Sequence, residues 1–296
     1  MRPFLCRIAV ALAFCLPALR VESNVTVATY NIRRSVDQPH ERWTDRRPLV
    51  GKCIRAMAPD VIGLQEALYS QIGDIEKDLG DYRWIGLGRE GGSADEFCPI
   101  FYRAKRLELV AFGHFWLSDH PELMGSITWG PQFPRMCTWV RLRTRREGRE
   151  FVVFNTHFDH EVQEAREKSA LLVRERVAAL DDTVPVIVLG DFNAAAGENP
   201  AYATLTADRF LRDAWLAVGK TSTPPQRGTA TFNDWGRFPL GEARIDWILV
   251  GGGWSVERSE IVGFAPGGRY PSDHFPVVAR LVFPADDGGP GTTREP

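Results

Sequence analysis

Short apolar runs alternate with amphipathic stretches along most of the chain. Clusters of β-branched and aromatic residues predict strands, and apolar positions that recur every three to four residues predict helices. The predicted strands cover residues 25–31, 61–65, 100–102, 107–112, 139–143, 151–156, 184–190, 245–250, 256–262 and 277–283. The predicted helices cover residues 47–57, 69–79 and 161–180. Because several strands are continuous apolar runs, which is typical of strands buried on both faces, the pattern predicts two packed sheets with helices outside.

The two ends of the chain depart from this pattern. An apolar run over residues 8–19 follows a short positive start and is too short to span a bilayer comfortably. We therefore expect residues 1–23 to be a signal peptide, and the mature protein to be secreted or periplasmic without stable membrane insertion; an uncleaved anchor is the alternative. Residues 285–296 lack apolar residues that could anchor them, and we expect a disordered tail after a single domain over residues 24–284.

Composition and charge restrict the class of protein. With 296 residues, 44% hydrophobic and 25% charged, the chain has the composition of a packed globular protein, which excludes a disordered, collagenous or coiled-coil chain. The net charge is −2, and loss of residues 1–23, which hold three arginines and one glutamate, would make it about −4. No global basic field is therefore available to hold nucleic acid. We expect a monomer.

Cysteine usage excludes a fold held together by sulfur. Only Cys53, Cys98 and Cys137 would remain after signal cleavage, and their spacing matches neither a zinc knuckle nor a redox Cys-x-x-Cys motif. At most one disulfide can form within such a chain.

Polar side chains follow several predicted strands at the point where each strand ends. Asn31, Glu66 and His157 come at the ends of three strands, and Asp191 and Asn193 follow a fourth. Alternate residues of a strand share a face, so the last two point into the same space. Each residue alone is explained as a turn former or a helix-end charge. Their shared placement at strand ends favours a site for metal, water or phosphate.

Two further polar residues lie near the last strands. Asp246 is inside an apolar run, and a carboxylate there is costly to bury without a partner. His274, which precedes the last strand, would supply that partner, and Asp246 would then fix the orientation of the ring and raise its basicity.

Six motifs in this order resemble those of the endonuclease/exonuclease/phosphatase superfamily, over about residues 25–283. They are TYNIR at 29–33, LQE at 64–66, NTH at 155–157, GDFN at 190–193, RID at 244–246 and SDHFPV at 272–277. The chain is most similar to the deadenylase-like and sphingomyelinase-like members and to bacterial members without an assigned substrate. The resemblance implies an α/β fold, a four-layer α/β/β/α sandwich of two mixed sheets flanked by helices. It also implies Mg²⁺- or Mn²⁺-dependent hydrolysis of a phosphoester.

The residue types suit this chemistry, which needs a positioned water, a cation and a proton or positive charge at the leaving oxygen. Glu66 with Asn31 offers the hard oxygen ligands that Mg²⁺ takes. Asp191 is expected to orient or deprotonate the water, and Asn193 to donate to the phosphate. His157 and His274 are expected to contact phosphoryl oxygens, one of them as general acid. Asp273 resembles a residue that helps bind metal in some relatives.

Three arginines, Arg89, Arg135 and Arg166, are candidates for a phosphate clamp, because guanidinium binds phosphate in a bidentate way. Arg33 departs from the apurinic endonucleases, which carry an acidic residue at the matching position, so a second metal site of that type is in doubt. Aromatic residues in the long loops 121–134 and 221–239 would narrow the site into a pocket for one phosphorylated group.

The sequence therefore predicts a divalent-metal-dependent phosphoester hydrolase that acts on a small phosphorylated metabolite or a lipid head group. The first alternative is a secreted nuclease for DNA or RNA, in which a local basic groove outweighs the net charge. The second is a binding protein that has kept the scaffold without catalysis. A zinc site at residues 155–160 is disfavoured, because Asn155 stands where the motif of metallo-β-lactamases needs histidine.

Overall fold

The computed structural model describes residues 24–39, 41–218, 230–238 and 243–285. The strands of this part are β1 (Asn24–Asn31), β2 (Val61–Gln65), β3 (Tyr82–Ile85), β4 (Ile100–Arg103), β5 (Leu107–Trp116), β6 (Met136–Thr144), β7 (Glu150–His157), β8 (Val186–Asp191), β9 (Arg212–Asp213), β10 (Asp246–Gly251), β11 (Ser255–Ile261) and β12 (Val277–Val282). The α-helices are α1 (Trp43–Met57), α2 (Tyr69–Leu79), α3 (Gln163–Ala178), α4 (Pro200–Thr206) and α5 (Ala214–Ala217). The expected signal peptide and all but residue 285 of the expected tail lie outside the described residues.

The strands form two six-stranded sheets. The first has the order β11-β12-β1-β2-β4-β3 and the second has the order β5-β6-β7-β8-β10-β9. Both are mixed, because β1 with β2 and β7 with β8 are parallel pairs and the neighbouring pairs are antiparallel. Within the described residues no helix has the length and apolar character that a membrane span requires.

Three apolar layers hold the architecture together. Side chains from the inner faces of both sheets, such as Val27 and Val153, form the central layer. The outer face of the first sheet packs on α1 and α2 through residues such as Ile54 and Ile72, and the outer face of the second packs on α3 and α4. These layers confirm the predicted four-layer α/β/β/α sandwich.

Most predicted elements are present, and the differences lie at sheet edges and short segments. β3, β9, α4 and α5 were missed, because two to seven residues carry too little periodicity to identify an element. β5 runs on to Trp116 past Gly113 and His114, which interrupt its apolar pattern. Within the described residues β5 is an edge strand of the second sheet, and most of its side chains are not buried, so it does not need an apolar residue at every position.

The carboxyl ends of the two parallel pairs meet at the same edge of the sandwich. Beneath this edge Asn155 joins the sheets, since its Nδ2 donates to the carbonyls of Leu64 and Pro99 at 2.9 Å and its Oδ1 accepts from Gln65 at 2.6 Å. A Cβ on Gly63 would come within 2.6 Å of the Asn155 amide, so the approach requires glycine. Gln65 and Asn155, both members of the sequence motifs, thus fix the spacing of the sheets.

The cysteines of the described chain form no crosslink. Cys53, Cys98 and Cys137 are all free and buried. The single disulfide that the sequence permits is therefore not formed, and the sandwich is held by its apolar layers.

Candidate functional site

Strand register brings the predicted residues together at this edge. In the second sheet His157 pairs with Asp191, the last residue of β8, and Asp191 pairs on its other side with Asp246, the first residue of β10. In the first sheet Asn31 ends β1, and Glu66 follows β2. A Cβ on Gly190 would lie 2.1 Å from the Thr156 carbonyl oxygen, so glycine allows the close pairing of β7 and β8 just before these residues.

The Asn31 amide links the two sheets at the site. Its Nδ2 donates to Glu66 Oε1 at 3.0 Å and to Asp191 Oδ2 at 2.9 Å. Its Oδ1 accepts from the backbone N–H of Arg33 at 3.0 Å. In this arrangement Asn31 orients the two carboxylates, and its oxygen, the atom that would bind a metal, is turned to the backbone.

Glu66 has a left-handed backbone, with φ 58°, at the end of β2. Its Oε2 accepts from the backbone N–H of Arg34 at 3.2 Å and lies 3.6 Å from Arg33 Nη1. Burial alone would raise the pKa of the Glu66 carboxyl, but the hydrogen bond from Asn31 and the charge of Arg33 outweigh it and lower the pKa. Glu66 therefore stays ionised and faces the pocket as a hard oxygen donor.

Asp191 is almost completely buried among groups of both charges. Its Oδ2 lies 3.4 Å from His157 Nε2 and 3.8 Å from His274 Nε2. Burial and the nearby Asp246 raise the pKa of Asp191 to about 7, although the charge of His274 opposes this. A carboxylate with such a pKa is a suitable proton acceptor near neutral pH.

Asp246 and His274 form a buried pair. Asp246 Oδ2 accepts from His274 Nδ1 at 2.9 Å, which leaves the ring's Nε2 directed toward Asp191. Burial alone would lower the pKa of His274, but the charges of Asp246 and Asp191 raise it to about 10. The ring is therefore a cation at neutral pH. The other oxygen of Asp246 has no hydrogen-bond partner.

His157 differs from His274 in its charge. Burial lowers the pKa of His157 far below its usual value, and the cations Arg135 and His274 lower it further. The Asn193 Nδ2 lies 3.0 Å from His157 Nε2 and donates to the Phe158 carbonyl at 3.1 Å. His157 and His274 are thus one neutral and one charged imidazole, a separation typical of groups with different roles.

Asp273 faces the same space from the segment before β12. Its Oδ1 is 3.2 Å from the Ser272 hydroxyl, and its Oδ2 is 3.8 Å from Arg33 Nε. Burial raises the pKa of Asp273, and the negative charge of Glu66 adds to this effect. Both carboxyls would gain from a shared cation, since two like charges in a buried site repel.

These groups open into a pocket of about 570 Å³. Six of its lining residues come from the strand ends and are called the strand-end residues here: Glu66, His157, Asp191, Asn193, Asp273 and His274. Five others come from the connecting segments and are called the loop residues: Arg89, Phe133, Arg135, Phe232 and Trp235. The loops were expected to narrow the site, and three of their aromatic side chains do line it.

Two of the three predicted phosphate-binding arginines line the pocket. Arg89 is held by Asp95 at 3.0 Å and Glu96 at 2.9 Å, and its guanidinium lies 4.6 Å from the centre of the Phe133 ring. Arg135 binds Asp159 at 3.3 Å. Its Nη2 lies 2.8 Å from His160 Nδ1. Both side chains are buried, so each cation is fixed in position before any ligand binds.

The structure does not bring Arg166 into the pocket. Its guanidinium donates to Gln163 Oε1 at 2.8 and 3.0 Å and to the Asp159 carbonyl at 2.9 Å, all within or next to the start of α3. The sequence pattern could not separate it from Arg89 and Arg135, because 31 of the 36 basic residues are arginine.

Several lining residues have no signal in the sequence. Arg34, Glu41 and Glu96 also line the pocket, and each belongs to an irregular segment without a motif. His160 lines it too, and it belongs to the 155–160 segment in which the sequence disfavours a zinc site. Arg46 is buried beside the segments that line the pocket. Its guanidinium donates to five backbone carbonyls, those of residues 32, 33, 34, 41 and 271, at 2.7–3.2 Å. It holds the segments that carry Arg33 and Asp273.

The donor set fits a hard divalent cation. Glu66 and Asp273 present carboxylates to the pocket, and Mg²⁺ commonly takes one or two protein carboxylates and keeps several waters. A second group, Asp191, Asp246 and His274, has ligand atoms within 4.8 Å of one another. In this group Asp246 Oδ2 and His274 Nδ1 are already bound to each other, whereas Asp246 Oδ1 has no hydrogen-bond partner.

Comparison with known proteins gives the same family as the motifs. The model of the Endonuclease/Exonuclease/phosphatase family matches residues 28–274. The chain is 27% identical to nocturnin of Drosophila melanogaster over 83% of its own length and 43% of that protein. It is 24% identical to human nocturnin over 84% of its own length and 60% of that protein. The chain thus spans less than two thirds of these relatives.

Solved structures share both the fold and, in some cases, substantial sequence. An endonuclease/exonuclease/phosphatase from Bacteroides vulgatus is 33% identical, with a TM-score of 0.81 over 88% of this chain and 100% of that chain. A mannosyl-6-phosphatase from Bacteroides thetaiotaomicron is 31% identical, with a TM-score of 0.78 over 88% of this chain and 100% of that chain. The human nocturnin catalytic domain, at 19% identity and a TM-score of 0.68 over 89% of this chain and 96% of that chain, shares the fold alone.

Proposed function

Because this chain belongs to the endonuclease/exonuclease/phosphatase family, a family of phosphoester hydrolases, we propose that it hydrolyses a small phosphorylated metabolite or a lipid head group with the help of Mg²⁺ or Mn²⁺. One observation carries the proposal. Carboxylates that suit a cation, a carboxylate that suits a proton acceptor and a charged imidazole all line one pocket of about 570 Å³.

The cation would be held by Glu66 and Asp273. When bound, it would neutralise charge on the phosphoryl oxygens. Asn31 supports this arrangement through its hydrogen bond to Glu66 Oε1, which fixes the rotamer of the carboxylate. Asn31 acts in this way as a positioning residue.

Asp191 prepares the water. Its Oδ1 accepts from the backbone N–H of Asn193 at 2.9 Å and its Oδ2 from Asn31 Nδ2 at 2.9 Å, and Oδ2 is also the atom that faces His157 and His274. A water that donates to Oδ2 would be oriented for attack and would lose its proton there. The neutral His157 and the Asn193 amide border the same space and would hold the phosphate or the water by hydrogen bonds.

His274 supplies positive charge and a proton. Its Nδ1 is bound to Asp246, so its Nε2–H is the group available to a phosphoryl or leaving oxygen. Because the pKa of His274 is about 10, the ring is protonated at neutral pH, and it is the better general acid of the two histidines.

Three observations favour a small phosphorylated group over a nucleic acid. Phe133, Phe232 and Trp235 line the pocket, and the chain carries a net charge of −2. A relative at 31% identity is described as a mannosyl-6-phosphatase. A nuclease that contacts several phosphates would need a continuous basic track.

The test is hydrolysis by the purified full chain with Mg²⁺, and with EDTA as the control. Substrates are a sugar phosphate, a phosphocholine lipid in vesicles and plasmid DNA. We expect turnover of the sugar phosphate or the lipid, its loss with EDTA, and a KM that changes little between about 50 and 200 mM salt. Efficient nicking of the plasmid with a KM that rises steeply over that range would instead assign a nuclease, and binding of phosphates without any turnover would assign a binding protein.

We also propose that the chain is exported, on the basis of its N-terminal residues alone. The signal-like run over residues 8–19 supports cleavage shortly before residue 24. Intact-mass analysis of the exported protein should show loss of about two dozen residues. Full-length protein retained in the cytosol would contradict this.

A further inference from the structure

Arg33 places a positive charge among three carboxylates of the pocket. Its Nε lies 3.1 Å from Glu41 Oε2 and 3.8 Å from Asp273 Oδ2, and its Nη1 lies 3.6 Å from Glu66 Oε2. The three acids come from three separate segments of the chain, so the guanidinium is their common partner. All four residues line the pocket.

The backbone of Arg33 is fixed on both sides. Its N–H donates to Asn31 Oδ1, and its carbonyl accepts from Arg46 Nη2 at 3.0 Å and Gln71 Nε2 at 3.1 Å. Its φ of 56° is left-handed, which is uncommon for a residue with a side chain. These bonds hold a disfavoured conformation that directs the guanidinium into the pocket.

The positive charge of Arg33 offsets part of the negative charge of the pocket carboxylates. Glu66 and Asp273 suffice for one divalent cation, since Mg²⁺ commonly takes one or two carboxylates. Glu41 adds a third acid on the same side, and Asp191 is a fourth nearby; without Arg33 this concentration of negative charge would favour a second cation. The guanidinium is always protonated and supplies positive charge in its place.

We propose that Arg33 replaces a second divalent cation, so that this site binds one Mg²⁺ or Mn²⁺ per chain. The inference rests on the proposed function only in assuming that the pocket holds a cation. Burial lowers the pKa of Arg33, but Glu66 and Asp273 raise it more, which is consistent with a guanidinium that remains charged.

The experiment counts Mn²⁺ per chain by electron paramagnetic resonance of free Mn²⁺, on the full chain without substrate. We expect one Mn²⁺ for the wild type and for Arg33→Lys, which keeps the charge, and two for Arg33→Gln. Arg34→Gln is the matched control, because it removes a neighbouring pocket cation that pairs with Glu96 at 3.1 Å, and it should bind one. Adding Glu41→Gln to Arg33→Gln should return the number to one.

Two Mn²⁺ in the wild type, or one in a folded Arg33→Gln, would overturn the inference. Thermal unfolding establishes that the variants fold, and Arg33→Ser serves as the second substitution if Arg33→Gln does not. The count is independent of turnover. The expected stoichiometries without hydrolysis of any substrate would overturn the proposed function alone, and hydrolysis with unchanged stoichiometries would overturn the inference alone.

Discussion

The strand-end residues and the loop residues form one pocket but are held in different ways. Asp191 is 1% exposed and His274 5%. Strand register and a hydrogen bond from Asn31 fix Asp191, and a hydrogen bond to Asp246 fixes His274. Phe232, by contrast, is 36% exposed. In the proposed reaction the reacting groups would need fixed geometry, whereas the groups around them would have only to fit a substrate.

The loop residues are themselves of two kinds. Arg89 and Arg135 are as buried as the strand-end residues, because Glu96 and Asp159 bind them. Trp235 lies in a turn with φ 57°, in a segment anchored to the Asp273 carbonyl through the Asn233 N–H at 2.7 Å. The cations thus resemble the strand-end residues in burial, and the aromatic side chains, which are more exposed, do not. Substitutions should separate these groups by the size and the kind of their effects.

The largest loss is expected from Asp191→Asn. The amide keeps the size of the side chain but cannot accept a proton from water, so turnover should fall about 10²- to 10⁴-fold. Because the pKa of Asp191 is raised to about 7, its ionised form costs stability at pH values above that, and the variant should melt no lower than the wild type at about pH 8. Wild-type turnover in this variant, measured with the preferred substrate, would remove Asp191 from the mechanism.

A smaller and pH-dependent loss is expected from Asp246→Asn. Loss of this charge lowers the pKa of His274 from about 10, so the ring becomes neutral at lower pH. The alkaline limb of the pH profile of kcat should therefore shift to lower pH. We expect turnover to fall about 10- to 100-fold at about pH 8 and less at about pH 6. An unchanged pH profile would show that the pair does not set the charge of His274.

The same pair has a consequence for stability. The folded-state pKa of His274 is raised above the ordinary value of 6.5, so the charged pair stabilises the fold fully below about pH 6.5 and this contribution is lost as the pH rises through about 10. Asp246→Asn should therefore lower the Tm more at about pH 6 than at about pH 10. Equal losses of Tm at the two pH values would contradict this.

Arg135→Lys tests the fixed cations among the loop residues. Lysine keeps the charge but lacks the planar fork, so it loses hydrogen bonds to the ligand or to Asp159, and KM should rise about 10-fold with a smaller change in kcat. Arg166→Lys is the matched control, because Arg166 binds Gln163 outside the pocket. Its KM should stay within about twofold of the wild type. Equal effects of the two substitutions would remove the distinction between them.

The smallest change is expected from Trp235→Ala. The side chain lines the pocket, and the centre of its ring lies 5.5 Å from Arg46 Cζ, so KM should rise a few-fold and kcat should change little. Trp129→Ala is the comparison, because Trp129 packs near Lys168 and donates to Asp119, away from the pocket lining. A large loss of kcat in Trp235→Ala would mean that the loop also positions reacting groups.

Most of the strand-end residues could be predicted from the sequence because they lie beside an apolar strand, whereas Asp273 was identified through the family resemblance alone. A strand that is buried along its length and ends in a polar residue indicates both the element and the end at which the polar group lies. Asp191, the last residue of β8, is an example. The sequence groups Arg166 with Arg89 and Arg135 as phosphate-binding residues because all three are cations. The charge of a side chain does not indicate where that side chain lies in the fold.

The amino-acid sequence by itself determined the layered sandwich and the residues that end its central strands, because periodic burial and strand-end polarity are local properties of the chain. Only the tertiary structure decided how the charges are distributed among those residues. His157 is neutral and His274 charged because of what surrounds each ring, and those neighbours come from distant segments. The pairing of Arg33 with Glu41, Glu66 and Asp273 was likewise decided by the packing of separate segments, since Coulomb energy depends on distance in space rather than along the chain.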